Sequence, residues 1–92
     1  MRVSLTYFAQ VRALAGIESE SLDVEDGSDL GSLLESCARS HGDQFRQLVL
    51  TEDGKPRPSI LVLVNGQPSA VNLSRRLAAG DSVSLLSAVA GG

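Results

Sequence analysis

The stretch Asp29-Leu-Gly-Ser-Leu-Leu-Glu-Ser-Cys-Ala-Arg-Ser-His41 carries the one long helix pattern in this sequence. Its apolar residues recur every three or four positions, so they lie on one stripe of a helix. The residues of this stripe are Leu30, Leu33, Leu34, Cys37 and Ala38 or His41. Ser28 is the predicted N-cap residue, and Asp29 lies in the first turn, where its charge complements the helix dipole. Gly42 ends the helix, which we predict over 29–41. A helix with one apolar face needs a sheet to cover that face.

Two strand patterns precede this helix. Residues 2–8 and 17–24 place apolar side chains on one face, as half-buried strands do. Phe8 breaks the alternation, and we expect it to turn into the core as the first strand ends. Between the two strands, 9–15 predicts one or two helical turns that direct Val11 and Leu14 inward.

Further strand patterns follow the helix. Residues 59–64 are a near-continuous apolar run before an Asn-Gly turn, typical of a central strand, and 82–87 form the last strand. Residues 43–50 predict a short helical turn or an irregular segment. An Asp-Gly pair and two prolines make 51–58 a loop, and 70–73 is a candidate short edge strand.

This order of elements predicts an α+β domain in which a mixed sheet of four to five strands packs on one main helix. The first two strands are expected to be antiparallel neighbours. The last strand can return beside the first, which directs the end of the chain away from the sheet. We therefore predict a folded domain over 1–87 and a flexible Gly-Gly tail over 88–92.

Composition excludes several classes of function. The chain has 92 residues and a net charge of −3, with no basic stretch that would suit nucleic acid or an anionic membrane. One His and one Cys are too few for a metal site of the usual ligand set. Cys37 has no partner for an internal disulfide, and 2–8 already reads as a strand rather than a signal peptide, so we expect a cytoplasmic protein.

The side chains suggest no self-contained active site. His41 lies at the predicted helix end, Cys37 on the apolar stripe, and Glu52-Asp53 in a loop, where structural or solvated roles are expected. No phosphate-binding or nucleophile motif is present in the sequence. Two features are left as candidates for function. The first is the closing segment Ala88-Val-Ala-Gly-Gly92, whose glycines have no side chain and can enter a narrow pocket of a partner. The second is a candidate docking patch on the uncovered sheet face, formed by Leu61, Leu63 and Leu86.

Four stretches resemble one known family. They are 3–16 (Val-Ser-Leu-Thr-Tyr-Phe-Ala-Gln-Val-Arg-Ala-Leu-Ala-Gly), 63–66 (Leu-Val-Asn-Gly), 77–83 (Leu-Ala-Ala-Gly-Asp-Ser-Val) and the closing Gly91-Gly92. Together they are similar to the MoaD/ThiS family of ubiquitin-like sulfur carriers, over essentially the whole chain. The resemblance implies the β-grasp fold. The Phe-Ala-x-x-Arg-x-x-x-Gly pattern looks most like the MoaD branch, the small subunits of molybdopterin synthase.

The resemblance also implies a reaction at the end of the chain. An activating enzyme similar to MoeB would use Mg-ATP to adenylate the Gly92 carboxylate, and a persulfide donor would convert it to a thiocarboxylate. Val89, Ala90 and Gly91 would thread into the partner. A large subunit similar to MoaE would then take the sulfur for a cyclic pterin. The chain itself would bind no cofactor and would be the sulfur-donating, non-catalytic subunit.

The destination of the sulfur stays open at this stage. Carriers of the molybdopterin type usually have Pro-Pro where this chain has Ser87-Ala88, and the Ala-Val-Ala-Gly-Gly ending also resembles carriers for cysteine synthesis, such as CysO. Cysteine synthesis and tRNA thiolation are therefore alternatives. So are a ubiquitin-like modifier conjugated to proteins through Gly92 and an interaction domain with an inert tail.

Overall fold

The main helix has nearly the predicted extent, but its N-cap residue differs from the predicted one. In the computed structural model, which describes residues 1–68 and 72–87, α2 spans Leu30–His41 and ends at Gly42, whose φ is 96°. Asp29 is the N-cap residue, and its carboxylate accepts a 2.8 Å hydrogen bond from the Ser32 amide. The prediction of Ser28 was wrong because Asp29 still has extended backbone; the Ser28 hydroxyl instead donates to the Glu25 carbonyl.

The other elements follow the predicted order. The strands and helices are β1 (Arg2–Tyr7), α1 (Ala9–Ala15), β2 (Ser19–Asp23), α3 (Asp43–Val49), β3 (Ile60–Val64), β4 (Gln67–Pro68) and β5 (Ser82–Ser87). Helix α3 settles the open alternative for 43–50. No helix among the described residues is long and apolar enough to span a membrane.

The strands form one mixed sheet in the order β2-β1-β5-β3-β4. β1 pairs with β2 antiparallel and with β5 parallel, and β5 pairs antiparallel with β3. The last strand therefore lies beside the first, in the centre of the sheet, as predicted. The α+β class and the β-grasp arrangement of a mixed sheet on a main helix are confirmed.

One face of the sheet and the apolar stripe of α2 enclose the core. Alternate residues of β3 are buried while those between them are not, which confirms the predicted division of that strand into two faces. The buried apolar side chains are Val3, Leu5, Tyr7, Val11, Leu30, Leu33, Leu34, Cys37, Ala38, Phe45, Val49, Leu50, Ile60, Val62, Val64, Leu77, Val83 and Leu85. Since burying one such side chain contributes about 1.5–3 kcal/mol, this set is the main source of stability.

Two residues expected in the core lie outside it. Phe8 is 44% exposed, because it continues the extended backbone of β1 one residue after the inward-facing Tyr7. Leu14 is 38% exposed, and Val11 is the one buried residue of α1, a helix of only two turns. Both predictions of burial were wrong.

The edge of the sheet beside β3 is a short hairpin. Asn65 and Gly66 both have positive φ, 53° and 78°, as a two-residue turn of the primed type requires. β4 ends at Pro68, which a sheet tolerates at its edge. Of the edge strand predicted over 70–73, residues 70 and 71 lie outside the described residues, and 72 and 73 are not in a strand.

Candidate functional site at the end of the central strand

The chain leaves the described domain from the middle of the sheet. Ser87, the last residue of β5, pairs with Ile60 at the start of β3, and the Phe8 amide at the end of β1 donates to the Leu85 carbonyl at 3.0 Å. The predicted reacting segment follows directly. Val89, Ala90, Gly91 and Gly92 lie outside the described residues, so their predicted roles stay predictions.

The predicted docking residues share one face of the sheet, opposite the helices. Leu61 pairs with Leu86 across β3 and β5, and Leu63 follows Leu61 on the same face. Leu61 is 38% exposed, and the other two are half-buried. Phe8 lies on this face as well, because β1 and β5 are in register from Ser4↔Ser82 to Tyr7↔Leu85. We call Phe8, Leu61, Leu63 and Leu86 the leucine strip; it borders the point where β5 ends.

Sequence reasoning missed Phe8 as a member of this strip. The signal was available: strand alternation that places Tyr7 inward places the next residue outward. The Tyr-Phe pair was instead interpreted as the point where the strand turns into the core. The structure therefore adds an exposed aromatic side chain to the surface nearest the end of β5.

Most of the rest of the same face is lined by small hydroxyl side chains, and the Arg2–Asp23 ion pair lies at one end of the β1–β2 ladder. Ladder registers place the hydroxyl side chains together on β1, β2 and the first part of β5. We call this set the hydroxyl patch: Ser4, Thr6, Ser19, Ser21, Ser82 and Ser84. Within the described residues, the leucine strip on this face therefore lies along β3 and at the ends of β1 and β5, and a cluster of exposed apolar side chains is a candidate contact surface.

A polar cluster on the other face is the strongest internal candidate for chemistry. The Tyr7 hydroxyl donates to Glu20 Oε2 at 2.5 Å, and His41 Nε2 lies 2.6 Å from the same oxygen. Cys37 Sγ is 3.4 Å from the Tyr7 hydroxyl. The rings of Tyr7, His41 and Phe45 pack against one another, with centroids 4.9–5.7 Å apart.

The electrostatics of this polar cluster favour a structural role. Burial raises the pKa of the Cys37 thiol to about 11 even though its hydrogen bond to Tyr7 lowers it, so Cys37 is not a thiolate near neutral pH. Burial and hydrogen bonds to Cys37 and Glu20 also raise the pKa of Tyr7. The cluster ties β2 to the end of α2. The prediction of Cys37 as a buried apolar residue is confirmed, and His41 has a carboxylate partner that the sequence did not reveal.

The remaining candidates form no catalytic arrangement. Glu52 and Asp53 are exposed in the loop after α3. Glu52 lines an open groove of about 490 Å³ with Arg46 and Arg57, but Arg46 already pairs with Glu35. Across residues 1–68 and 72–87, no three His, Cys, Asp or Glu side chains converge as metal ligands would.

A protein-family model and several solved structures match this chain over most or all of its length. A family model described as the ThiS family matches residues 5–92. The small archaeal modifier protein 1 of Haloferax volcanii is 29% identical over the whole of both chains, with a TM-score of 0.84. A protein assigned as molybdopterin converting factor, subunit 1, from Pyrococcus furiosus is 27% identical over 97% of this chain and 99% of its own, with a TM-score of 0.79.

A third solved structure is a complex. It contains CysO with BexX of Amycolatopsis orientalis, and the matched chain is 27% identical over 98% of this chain and 99% of its own, with a TM-score of 0.70. No curated protein sequence matches this chain significantly.

Proposed function

The chain belongs to the ThiS family of ubiquitin-like carriers, and from that membership we propose that it carries sulfur on the carboxylate of Gly92 as the small subunit of a molybdopterin synthase. The observation that supports this most directly is the position of β5. The strand that precedes Gly92 is central and fixed on both sides, by β1 and by β3. The five residues beyond Ser87 can span at most about 17 Å, enough to reach into a partner's active site while the domain stays outside.

The leucine strip supplies the docking surface in this proposal. Phe8 and Leu61 are exposed, and both lie beside the end of β5. A partner that covers the strip would bury apolar surface at about 25 cal/mol per Å² and would hold the tail at its own catalytic residues. The partners are an activating enzyme and an acceptor enzyme, both of which must bind the same strip in turn.

The proposed chemistry activates a poor electrophile. A Gly92 carboxylate oxygen attacks the α-phosphorus of ATP in the activating enzyme, where Mg²⁺ assists, and pyrophosphate leaves. The terminal sulfur of a persulfide then attacks the acyl carbon and AMP leaves. A thiol cleaves the resulting S–S bond and becomes part of a disulfide, which leaves Gly92 as a thiocarboxylate. This chain supplies the carboxylate and the docking surface, and a cytoplasmic location suits the reducing step.

The molybdopterin destination is supported by the first strand and helix. The Phe8-Ala9 pair, Arg12 and Gly16 make up the pattern that resembles the MoaD branch. The similarity to the Pyrococcus furiosus molybdopterin converting factor subunit supports the same destination.

A conjugated modifier is the second candidate. The similarity to a protein named as a small archaeal modifier, at a TM-score of 0.84, favours it. In that case the activated Gly92 acyl group would be transferred to a lysine amine. The similarity to CysO keeps a cysteine-synthesis carrier as a further destination for the same thiocarboxylate.

Intact-mass spectrometry tests the carrier proposal. The chain is incubated with a MoeB-type activating enzyme, Mg-ATP and a persulfide donor, and the mass should rise by the difference between one sulfur and one oxygen atom. The gain should vanish when a residue is added after Gly92. An unchanged mass with cognate activating enzymes would overturn carriage, and a Gly92–lysine linkage in cell extracts would favour the modifier.

A pair of leucine-strip and control variants tests the docking surface. Leu61→Asp should reduce the rate of adenylation at least tenfold at subsaturating carrier, since it places a charge in the apolar contact. Ser4→Asp, on the hydroxyl patch of the same face, should change the rate less than twofold. Equal losses in the two variants would place the partner contact somewhere other than the strip.

A further inference from the structure

The free edge of β2 is the second surface that the fold leaves uncovered. In the β1–β2 ladder the hydrogen-bonded pairs include Tyr7 with Glu18 and Met1 with Val24. Alternation along the ladder therefore directs the backbone N–H and C=O groups of Ser19, Ser21 and Asp23 away from β1. Among residues 1–68 and 72–87, no other backbone or side-chain group bonds to those of Ser19, Ser21 or Asp23.

A groove continues the edge toward the main helix. It has a volume of about 340 Å³ and lies between the end of β2 with the following loop and the first half of α2. Val24 and Leu33 provide apolar lining, while Asp23, Glu25 and three serines provide the polar walls. An edge strand beside a groove of this kind can accept an extended peptide, whose backbone extends the sheet while alternate side chains enter the groove.

Acidic side chains near the β2 edge favour a basic peptide over an acidic one. Between Arg12 and Arg39 the sequence has seven Asp and Glu residues and no Lys or Arg. Three of them are not at the edge, because Glu20 belongs to the polar cluster, Asp29 caps α2 and Glu35 pairs with Arg46. The other four lie along β2 and at its ends: Glu18, Asp23, Glu25 and Asp26. Asp23 pairs with Arg2 and Asp26 with the N-terminal amine, whereas Glu18 and Glu25 form no ion pair in the described part of the chain. A second copy of this chain would bring two acidic edges together, so the charge disfavours pairing of the domain with itself.

We propose that the β2 edge binds an extended Lys- or Arg-bearing segment of a partner protein, which adds to the sheet as a sixth strand. In the strand order β2-β1-β5-β3, β1 separates the site from the three leucines of the strip, and Phe8, at the end of β1, is the strip residue nearest to β2. A segment bound there leaves β5 and the leucine strip accessible. It can therefore hold the protein near a partner while its tail is processed, and this proposal stands whether or not Gly92 carries sulfur.

Nuclear magnetic resonance with matched peptides tests the proposal. The ¹⁵N-labelled chain is titrated with the peptide Lys-Val-Lys-Val-Lys-Val-Lys, and separately with Glu-Val-Glu-Val-Glu-Val-Glu. The basic peptide should shift the amides of Ser19, Ser21 and Asp23 and slow their hydrogen exchange at least tenfold at saturation. Its affinity should fall as NaCl is raised from about 0.05 M to about 0.5 M, because exposed charges are then screened.

Two variants separate the backbone and charge contributions. Ser21→Pro removes an outward N–H without touching the β1 ladder and should weaken the basic peptide at least tenfold, while Ser21→Ala should not. Replacing Glu18 and Glu25 by Gln, which breaks no ion pair within the described residues, should weaken it about threefold to tenfold. Unshifted β2 amides at millimolar peptide, equal binding of the acidic peptide, or shifts confined to the leucine strip would each overturn the proposal.

Discussion

The two sides of the sheet have the same strand alternation but differ in the side chains on their inner and outer faces. On the β1–β2 side the outer face carries hydroxyls, the edge is acidic, and the interior holds the polar cluster of Tyr7, Glu20, Cys37 and His41. On the β3–β5 side the interior is apolar throughout, and leucines also lie on the outer face. Interior packing thus explains only one set of apolar residues, and for the other set, the leucine strip, we propose contact with a partner.

The largest expected loss of stability comes from a substitution on the inner face of β5, compared with one on its outer face. Leu85 is fully buried between Tyr7 and Val62, so Leu85→Ala should lower the free energy of unfolding by about 3 kcal/mol. Leu86→Ala, one residue later and half-buried on the outer face, should cost less than about 1 kcal/mol. Urea unfolding of both variants measures the difference. Equal losses would mean that the leucine strip is part of the core.

The next effect concerns the polar cluster. Glu20→Ala removes the acceptor of both the Tyr7 hydroxyl and His41 Nε2, and should destabilise the fold by about 2 kcal/mol. Glu18→Ala, two residues earlier and exposed, should stay within about 0.5 kcal/mol of the wild type. Thermal unfolding followed by circular dichroism compares the two. A neutral Glu20→Ala would show that the cluster contributes nothing to the β1–β2 side.

The smallest effect lies at the rim of the β3–β5 side, where Asp81 accepts hydrogen bonds from the Asn65 side chain at 3.0 Å and the Ala78 amide at 2.8 Å. These bonds hold the pKa of the Asp81 carboxyl below its ordinary value of 3.8. A lowered carboxyl pKa stabilises the fold above the ordinary pKa, and the contribution is lost as the pH falls through the folded-state pKa.

Asp81→Asn should therefore cost about 0.5 kcal/mol at pH 7, a small figure because the group is accessible to solvent. The gap between variant and wild type should close as the pH is lowered below the ordinary carboxyl pKa. Urea unfolding at pH 7 and at acid pH measures it. Asp53→Asn, in the exposed loop after α3, is the control and should show no gap at either pH; a constant Asp81 gap would contradict the linkage.

Much of the fold was predictable because its signals are local. Period-2 alternation located β1 and β5, a near-continuous apolar run located β3, and the apolar stripe with Gly42 located α2. Phe8 was wrongly placed in the core because a break in apolar alternation can mean either a turn inward or an exposed apolar residue. Side-chain periodicity alone does not distinguish these two cases.

The candidate site was predictable in part. The apolar run of β3 does not by itself say which residues face the helix, but strand alternation places Leu61 and Leu63 together on the face opposite Val62. The polar cluster was not predictable, since Tyr7, Glu20 and His41 come from three elements that meet only in the folded sheet and helix. The roles predicted for 88–92 stay predictions.

The central position of β5 has a consequence for the order in which this protein is built. β1 with β2 and β3 with β4 are hairpins that share no strand, and β5 alone joins them. During synthesis the two hairpins emerge first and cannot form one sheet until 82–87 have been made. Pairing the first strand with the last also raises contact order and slows folding. A partner that recognises the completed outer face therefore meets only chains whose last strand, and with it the attachment point of the tail, is already in place.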